Sequence, residues 1–269
     1  MSRPFKLWLC AACMTGVLNA DAFGGRPVFS LGVVAINSTP VPGGFTRHVQ
    51  ALPGDVLTLK VYLRNWSPSG ERLNAYQMQL ETLDFQSGSG GSIKPVDYET
   101  ARENNTMNLA NCFVDQSDPE WLFVGRQSIT LTDTRSPAYR WMSVLVDTAD
   151  ALLCDDPDKM FYAGTVKMKV SDDARGTFTL GFMEVETSSL LLDEHGVLIS
   201  PLEFENLTVV IRPDILGVID RLNGDQQVAV ERVDMDGNGE VSPADITKAL
   251  DVLNGTTAEP EPAEATTAE

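Results

Sequence analysis

Short runs of alternating apolar and polar residues occupy most of this 269-residue chain between about residues 29 and 211. Residues 57–63 follow a Pro-Gly-Asp turn and carry leucine or valine at every second position, and residues 76–80 repeat the pattern. A period of two is typical of a strand with one buried face. The same signals predict further strands at residues 121–124, 128–131, 141–146, 165–170, 177–182, 190–192 and 207–211.

Turn-forming residues separate these runs, as in the glycine- and serine-rich residues 87–92 and in residues 172–176. No strong helical period interrupts the pattern. Many short strands joined by such turns predict a mainly-β fold, and we expect an antiparallel β-sandwich over residues 23–211.

Residues 234–245 carry the most specific motif, DMDGNGEVSPAD. Side-chain oxygens stand at positions one, three, five, nine and twelve, and a glycine at position six permits a sharp turn, as in EF-hand calcium loops. Carboxylates that converge in this way repel one another unless a cation lies between them. The alternative is a solvated acidic turn. The ligands expected for one Ca²⁺ ion are Asp234, Asp236, Asn238, Glu240 (through its carbonyl), Ser242 (directly or through water) and Asp245.

An amphipathic helix is predicted directly after this loop, and Asn254-Gly255 supplies its stop. A matching unit begins thirty-one residues before Asp245, at Asp214. Such an internal repeat predicts two helices whose apolar faces pack on each other. Their apolar positions are Val218 and Ile219 in the first helix, and Ile246, Ala249, Leu250 and Leu253 in the second.

This duplicated arrangement, over about residues 212–255, resembles a type I dockerin, whose loops close with aspartate where EF-hands use glutamate. Dockerins are calcium-dependent modules that bind cohesins, so the resemblance implies Ca²⁺ and an extracellular protein partner. We expect one ion, bound at roughly 10⁻⁴–10⁻³ M as in other extracellular modules. A second ion is not expected, because the positions of an earlier loop hold Glu203, Glu205, Leu207 and Thr208.

The sandwich itself resembles cohesin-like domains in three stretches. Residues 51–61 are similar to their opening strands, residues 162–170 to a late strand, and residues 172–180 to the turn and strand that follow. Carbohydrate-binding modules share these patterns. The resemblance implies a jelly-roll sandwich that offers a face to a protein or to a polysaccharide.

The first 22 residues have the features of a secretion signal. Arg3 and Lys6 precede a short apolar run, and Ala20-Asp21-Ala22 offers a cleavage site. We therefore expect a secreted or cell-surface protein, with a signal anchor or a lipidated Cys13 as alternatives. No later segment approaches the length of apolar sequence that a membrane span needs.

The chain is strongly acidic, with a formal net charge of −18 and a pI of about 4.4. Such a charge repels phosphate backbones, which argues against nucleic acid as a partner. The last segment, residues 256–269, has no apolar period and contains four glutamates and two prolines. Its composition predicts a disordered acidic tail.

Cysteine use agrees with export. After removal of the signal, Cys112 and Cys154 remain, and an oxidising compartment would let them form the one disulfide available. Two separate buried thiols are the alternative.

No catalytic motif singles out an enzyme. The two histidines, His48 and His195, lie in no metal-binding or nucleophile motif. A glycosidase needs only a pair of carboxylates, but nothing marks one pair among 38 acidic residues. Trp66, Trp121 and Trp141 could each stack on a sugar or lie in the core.

These observations favour a non-catalytic protein of extracellular assembly or attachment. Alternatives are a polysaccharide-binding protein with a calcium-stabilised appendage, and a component of polysaccharide degradation. The connection at Arg212-Pro213 is also too short for a free tether, so the helix pair could dock on its own sandwich.

Overall fold

The structure of the protein is a computed structural model. It describes residues 25–85, 90–96, 111–133, 139–183 and 188–254. The predicted signal peptide, Cys13 and the predicted acidic tail lie outside the described residues.

The described residues form fourteen β-strands and three α-helices, together with one short 3₁₀ helix at Thr148–Asp150. In chain order the strands are β1 (Val28–Ile36), β2 (Thr39–Pro40), β3 (His48–Ala51), β4 (Val56–Arg64), β5 (Leu73–Phe85), β6 (Ile93–Pro95), β7 (Cys112–Phe113), β8 (Ser128–Asp133), β9 (Tyr139–Leu145), β10 (Phe161–Val170), β11 (Gly176–Phe182), β12 (Leu190–Asp193), β13 (Glu203–Glu205) and β14 (Leu207–Ile211). The helices that follow are α1 (Ile215–Leu222), α2 (Val230–Val233) and α3 (Pro243–Leu253).

Two sheets account for all of these strands. The first has the order β13-β1-β4-β10-β6, with β2 beside β1 and β7 beside β10, and the second has the order β3-β14-β11-β5-β9-β8, with β12 beside β5. Most pairs are antiparallel, as predicted, but β13 runs parallel to β1 and β3 runs parallel to β14. The sheets are therefore mixed at these pairs, which the sequence analysis did not predict.

A single residue, Asn206, separates β13 from β14. Those two strands belong to different sheets, so the chain crosses from one sheet to the other at this point. Residues 203–211 therefore pair with the first sheet through β13 and with the second sheet through β14.

Strand β4 shows why the alternating pattern forms a sandwich. Leu57, Leu59, Val61 and Leu63 are fully buried, whereas the residues between them are mostly half-exposed. Buried side chains of both sheets form one apolar cluster. It includes Leu59 of β4 in the first sheet and Phe178 of β11 in the second. The predicted β-sandwich is confirmed in its class.

The middle of this core is fixed by two polar groups that share one acceptor. Tyr76 Oη and Trp141 Nε1 both donate to the carbonyl oxygen of Ala163, at 2.8 and 3.1 Å. Buried polar groups are costly without such partners. The next residue, Gly164, lies directly under the indole, because a Cβ there would come within 2.5 Å of Trp141 Cε2.

One predicted strand is wrong. Residues 121–124 form turns, apart from an isolated bridge between Trp121 and Tyr162. Their apolar content has a different cause, because Trp121, Leu122 and Phe123 are buried in the core from within a turn. Burial without alternation is the signal that separates this segment from a strand.

The predicted disulfide between Cys112 and Cys154 is also wrong, since both are free thiols. Cys112 lies opposite Val166 in the middle of β10. The backbone N–H of Cys154 donates to the hydroxyl of Ser67. The neighbouring Trp66 contacts Phe161 at the start of β10. Cys112 and Cys154 therefore lie beside positions of β10 that are five residues apart, Val166 and Phe161, and five strand residues span roughly 16 Å. The Cα atoms of a disulfide lie only about 4.4–6.8 Å apart.

A candidate metal-binding loop in the helical module

The three helices and the loop between α2 and α3 are called the helical module below. Helix α1 begins at an N-cap, Asp214, whose side chain accepts the N–H of Gly217. Helix α3 begins at Ser242, which caps it, and Pro243 occupies the first turn, where its missing N–H leaves no bond unmade. Both predicted helices are therefore confirmed, and the short α2 between them was not predicted.

The predicted calcium loop runs from the end of α2 to the first turn of α3. Gly237 and Gly239 have φ angles of 75° and 85°, in the left-handed region that favours glycine. These two glycines let the backbone fold tightly over the carboxylates. The N–H groups of the loop consequently point inward.

Three carboxylates converge inside this loop. One oxygen each from Asp234, Asp236 and Asp245 lies within 4.8 Å of the others. Asp245 is fully buried, whereas Asp236 is exposed to solvent. Among the described residues, no lysine, arginine or histidine forms an ion pair with any of the three.

The buried Asp245 carboxylate is held by the backbone on both sides. Its Oδ1 accepts the N–H groups of Met235 (2.8 Å) and Asp236 (3.3 Å), and its Oδ2 accepts the N–H of Ser242 (2.7 Å). Together with the Ser242 side chain this forms a capping box at the start of α3. The same carboxylate therefore closes the loop and starts the helix.

Asp234, at the first position of the loop, is held in a similar way. Its Oδ1 accepts the N–H groups of Gly237 (2.8 Å) and Asn238 (3.2 Å), and its Oδ2 accepts that of Gly239 (2.7 Å). Partial burial works to raise the pKa of this carboxyl, but the three N–H groups outweigh it, so the pKa is lowered from its ordinary value. The loop thus favours the charged form of Asp234.

The other three predicted ligands lie in the same loop. Asn238 donates its amide N–H to Asp236 Oδ2 (3.0 Å), and its Oδ1 accepts the N–H of Glu240 (2.8 Å). The Ser242 hydroxyl accepts the N–H of Ala244 (3.2 Å). Of the six residues predicted as ligands, the structure therefore brings three side chains together and places the other three residues in the same loop.

The positions of a hypothetical earlier loop are built differently. Glu203 and Glu205 belong to β13, and Glu205 pairs with Arg64 at 2.9 Å and with Arg47 at 3.4 Å. Leu207 is buried in β14. These residues belong to strands of the sandwich.

The predicted packing of the two helices holds only in part. Val218 and Ala249 are fully buried, and so is Val233 of α2. Leu250 and Leu253 are each 46% exposed, however, and Leu216 is 74% exposed. Helical spacing identified an apolar stripe, but only its inner edge is covered.

On the sandwich, several apolar side chains face solvent, and two of them lie on the edge strand β8. Ile129 and Leu131 are 53% and 55% exposed, on the face opposite Trp141. All three candidate sugar-stacking tryptophans, Trp66, Trp121 and Trp141, are buried. His48 and His195 are exposed, as expected for surface residues.

Among the described residues, no helix is long and apolar enough to cross a membrane. No protein-family model matches the chain, and no curated protein matches it in sequence.

Solved structures with some likeness to the chain are cohesin modules, alone or in complexes. One is a chain of a type I cohesin–dockerin complex from Clostridium thermocellum, with 13% identity over 70% of this chain and 99% of that chain, at a TM-score of 0.36. Another is a type II cohesin of a scaffoldin from Acetivibrio cellulolyticus (12%, 68% and 88%, TM-score 0.41). A third is a type II cohesin from Bacteroides cellulosolvens (12%, 69% and 99%, TM-score 0.40).

Proposed function

We propose that this chain is a secreted, non-catalytic protein of extracellular assembly or attachment, and that its helical module folds around one Ca²⁺ ion. The observation that carries the proposal is the convergence of Asp234, Asp236 and Asp245 within 4.8 Å in a loop that leads straight into a helix. We assign residues 1–22 to a cleaved signal, 23–211 to the sandwich, 212–255 to the helical module and 256–269 to a tail.

The donor set fits a hard divalent cation. Calcium takes six to eight oxygen ligands, and the six residues predicted as ligands offer carboxylate, amide, carbonyl and hydroxyl oxygens, with no histidine or cysteine among them. The ion would be held by Asp234, Asp236, Asn238, the Glu240 carbonyl, Ser242 and Asp245. Its charge would offset the repulsion among three carboxylates that form no ion pair with a cationic side chain in the described part of the chain.

Calcium would act here as a folding cofactor. The helical module buries few side chains completely, so apolar burial alone stabilises it little. A cation that binds only the folded loop shifts the folding equilibrium by mass action. Because Asp245 belongs to both the loop and the α3 capping box, the ion would order that helix directly.

The exposed apolar side chains support a protein partner. Leu216, Leu250 and Leu253 leave the helical module with an uncovered apolar stripe, and Ile129 and Leu131 do the same for the β8 face. A protein partner would cover these apolar side chains on binding. A sugar would instead need exposed aromatic rings, and no tryptophan, tyrosine or phenylalanine whose burial the structure describes is exposed.

Calcium titration by calorimetry on the chain without residues 1–22 tests the proposal. We expect one ion per chain with a Kd of roughly 10⁻⁴–10⁻³ M. Asp234→Ala and Asp236→Ala should each abolish the measurable heat. Asp220→Ala is the matched control, because it removes an exposed carboxylate from α1, outside the loop.

Four results would count against the proposal. Heat that is absent in the unaltered chain, or equal in the loop variants and in Asp220→Ala, would remove calcium from it. Retention on insoluble glycans in a pull-down would favour the polysaccharide-binding alternative, and release of reducing sugars would favour a degradative enzyme.

A further inference from the structure

We propose that Arg232 supplies a built-in cation for the first half of the helical module (α1 and α2), so that calcium controls only the second half (the loop and α3). The statement that calcium controls the loop and α3 rests on the proposed function. The statement about Arg232 depends on an ion pair that the structure describes directly.

The two halves each place a buried carboxylate at the start of a helix. Asp245 stands in the first turn of α3, and Asp214, thirty-one residues earlier, caps α1. Both are buried, at 0% and 7% exposure. A buried carboxylate needs a compensating charge or a full set of hydrogen bonds.

The halves meet that need in different ways. Asp245 receives backbone N–H groups and lies beside two other carboxylates. Asp214 Oδ1 accepts the N–H of Gly217 at 3.0 Å, and its Oδ2 accepts Nε–H of Arg232 at 2.7 Å. The guanidinium thus neutralises the first carboxylate, whereas no lysine, arginine or histidine among the described residues forms an ion pair with Asp245.

Arg232 also lies near the sandwich. It lies on α2, two residues before the loop ligand Asp234, and its Nη1 comes close to the turn at Gly54. A Cβ added to Gly54 would lie 3.3 Å from that atom and 2.9 Å from Asp172 Oδ1. The fixed cation therefore sits where α1, α2 and the sandwich meet.

The consequence is an uneven response to calcium. Without the metal, α3 loses the neutralising charge at its first turn, whereas α1 keeps its own. We therefore expect α1 and α2 to stay against the sandwich while α3 loosens.

Hydrogen exchange of the full chain, followed by mass spectrometry, tests this. In the unaltered protein, EDTA should speed exchange of residues 243–253 more than that of residues 215–222. In saturating calcium, Arg232→Gln should speed exchange of residues 215–222 by about tenfold or more, because it strands a buried carboxylate. Adding Asp214→Asn to that variant should recover most of the loss, since asparagine keeps the helix cap without the charge.

Arg212→Gln serves as the matched control, because it removes a charge from an exposed arginine at the same junction. If Arg232→Gln does not fold, Arg232→Lys keeps the charge and should protect α1 better than any neutral residue. The proposal is overturned if Arg232→Gln behaves like Arg212→Gln, or if Asp214→Asn brings no recovery. Calcium binding that fails with the ion-pair effect intact would overturn the proposed function and leave the Arg232 assignment standing.

Discussion

The sandwich and the helical module bury apolar surface to very different extents. The sandwich has one apolar cluster built from both sheets, with large side chains such as Trp66 and Trp141 at its centre. The helical module has three fully buried apolar side chains, which are Val218, Val233 and Ala249. The large domain can therefore depend on apolar burial, whereas the small one depends on how its carboxylates are compensated.

The largest expected effect tests the sandwich side of this contrast. Trp141→Ala removes a buried indole and its hydrogen bond to Ala163, and should lower the free energy of unfolding by about 3–5 kcal/mol. Urea unfolding measures the loss, which we expect to be equal in calcium and in EDTA. Val146→Ala is the control, because that side chain is 59% exposed and its truncation should cost less than about 0.5 kcal/mol. A loss that depends on calcium would join the two regions into one cooperative unit.

The next effect tests the helical module. Excess EDTA should reduce the helical signal in far-UV circular dichroism, because calcium at a hundredfold excess over its Kd stabilises the folded loop by about 2.7 kcal/mol. The tryptophan fluorescence should stay unchanged, since Trp66, Trp121 and Trp141 all lie in the sandwich. Equal helicity with and without EDTA would contradict a metal-dependent module.

The smallest effect concerns the two thiols of the sandwich. Burial raises the pKa of Cys112 above its ordinary value, so this thiol should react with Ellman's reagent only after unfolding. Cys154 is half-exposed and should react in the native protein, and Cys154→Ser should change stability by less than about 0.5 kcal/mol. Finding no titratable thiol in unreduced, unfolded protein would restore the disulfide.

Local patterns were predictable from the sequence, and long-range ones were not. The strand at residues 57–63 and the loop at residues 234–245 were both foreseen, because each is specified by neighbours in the chain. The pair between Arg232 and Asp214 joins residues that no motif connects. The parallel pairing of β1 with β13 likewise depends on segments far apart in sequence.

Composition misled in two places for physical reasons. Residues 121–124 are apolar enough for a strand, but their side chains reach the core from a turn. The cysteines suggested a disulfide because the expected compartment is oxidising, yet their separation depends on where they fall along β10. Helical spacing in α3 identified an apolar stripe but could not tell that Leu250 and Leu253 stay partly uncovered.

The crossing at Asn206 has a mechanical consequence. A pull on the chain beyond β14 loads the second sheet through β3 and β11, and reaches the first sheet through β13 one residue earlier. β13 runs parallel to β1. A pull on Asn206, at the carboxyl end of β13, against the amino end of β1 therefore slides the two strands along each other. Their hydrogen bonds then share the load in shear and do not break one at a time. The connection to the helical module therefore loads the pair of β13 and β1 in shear.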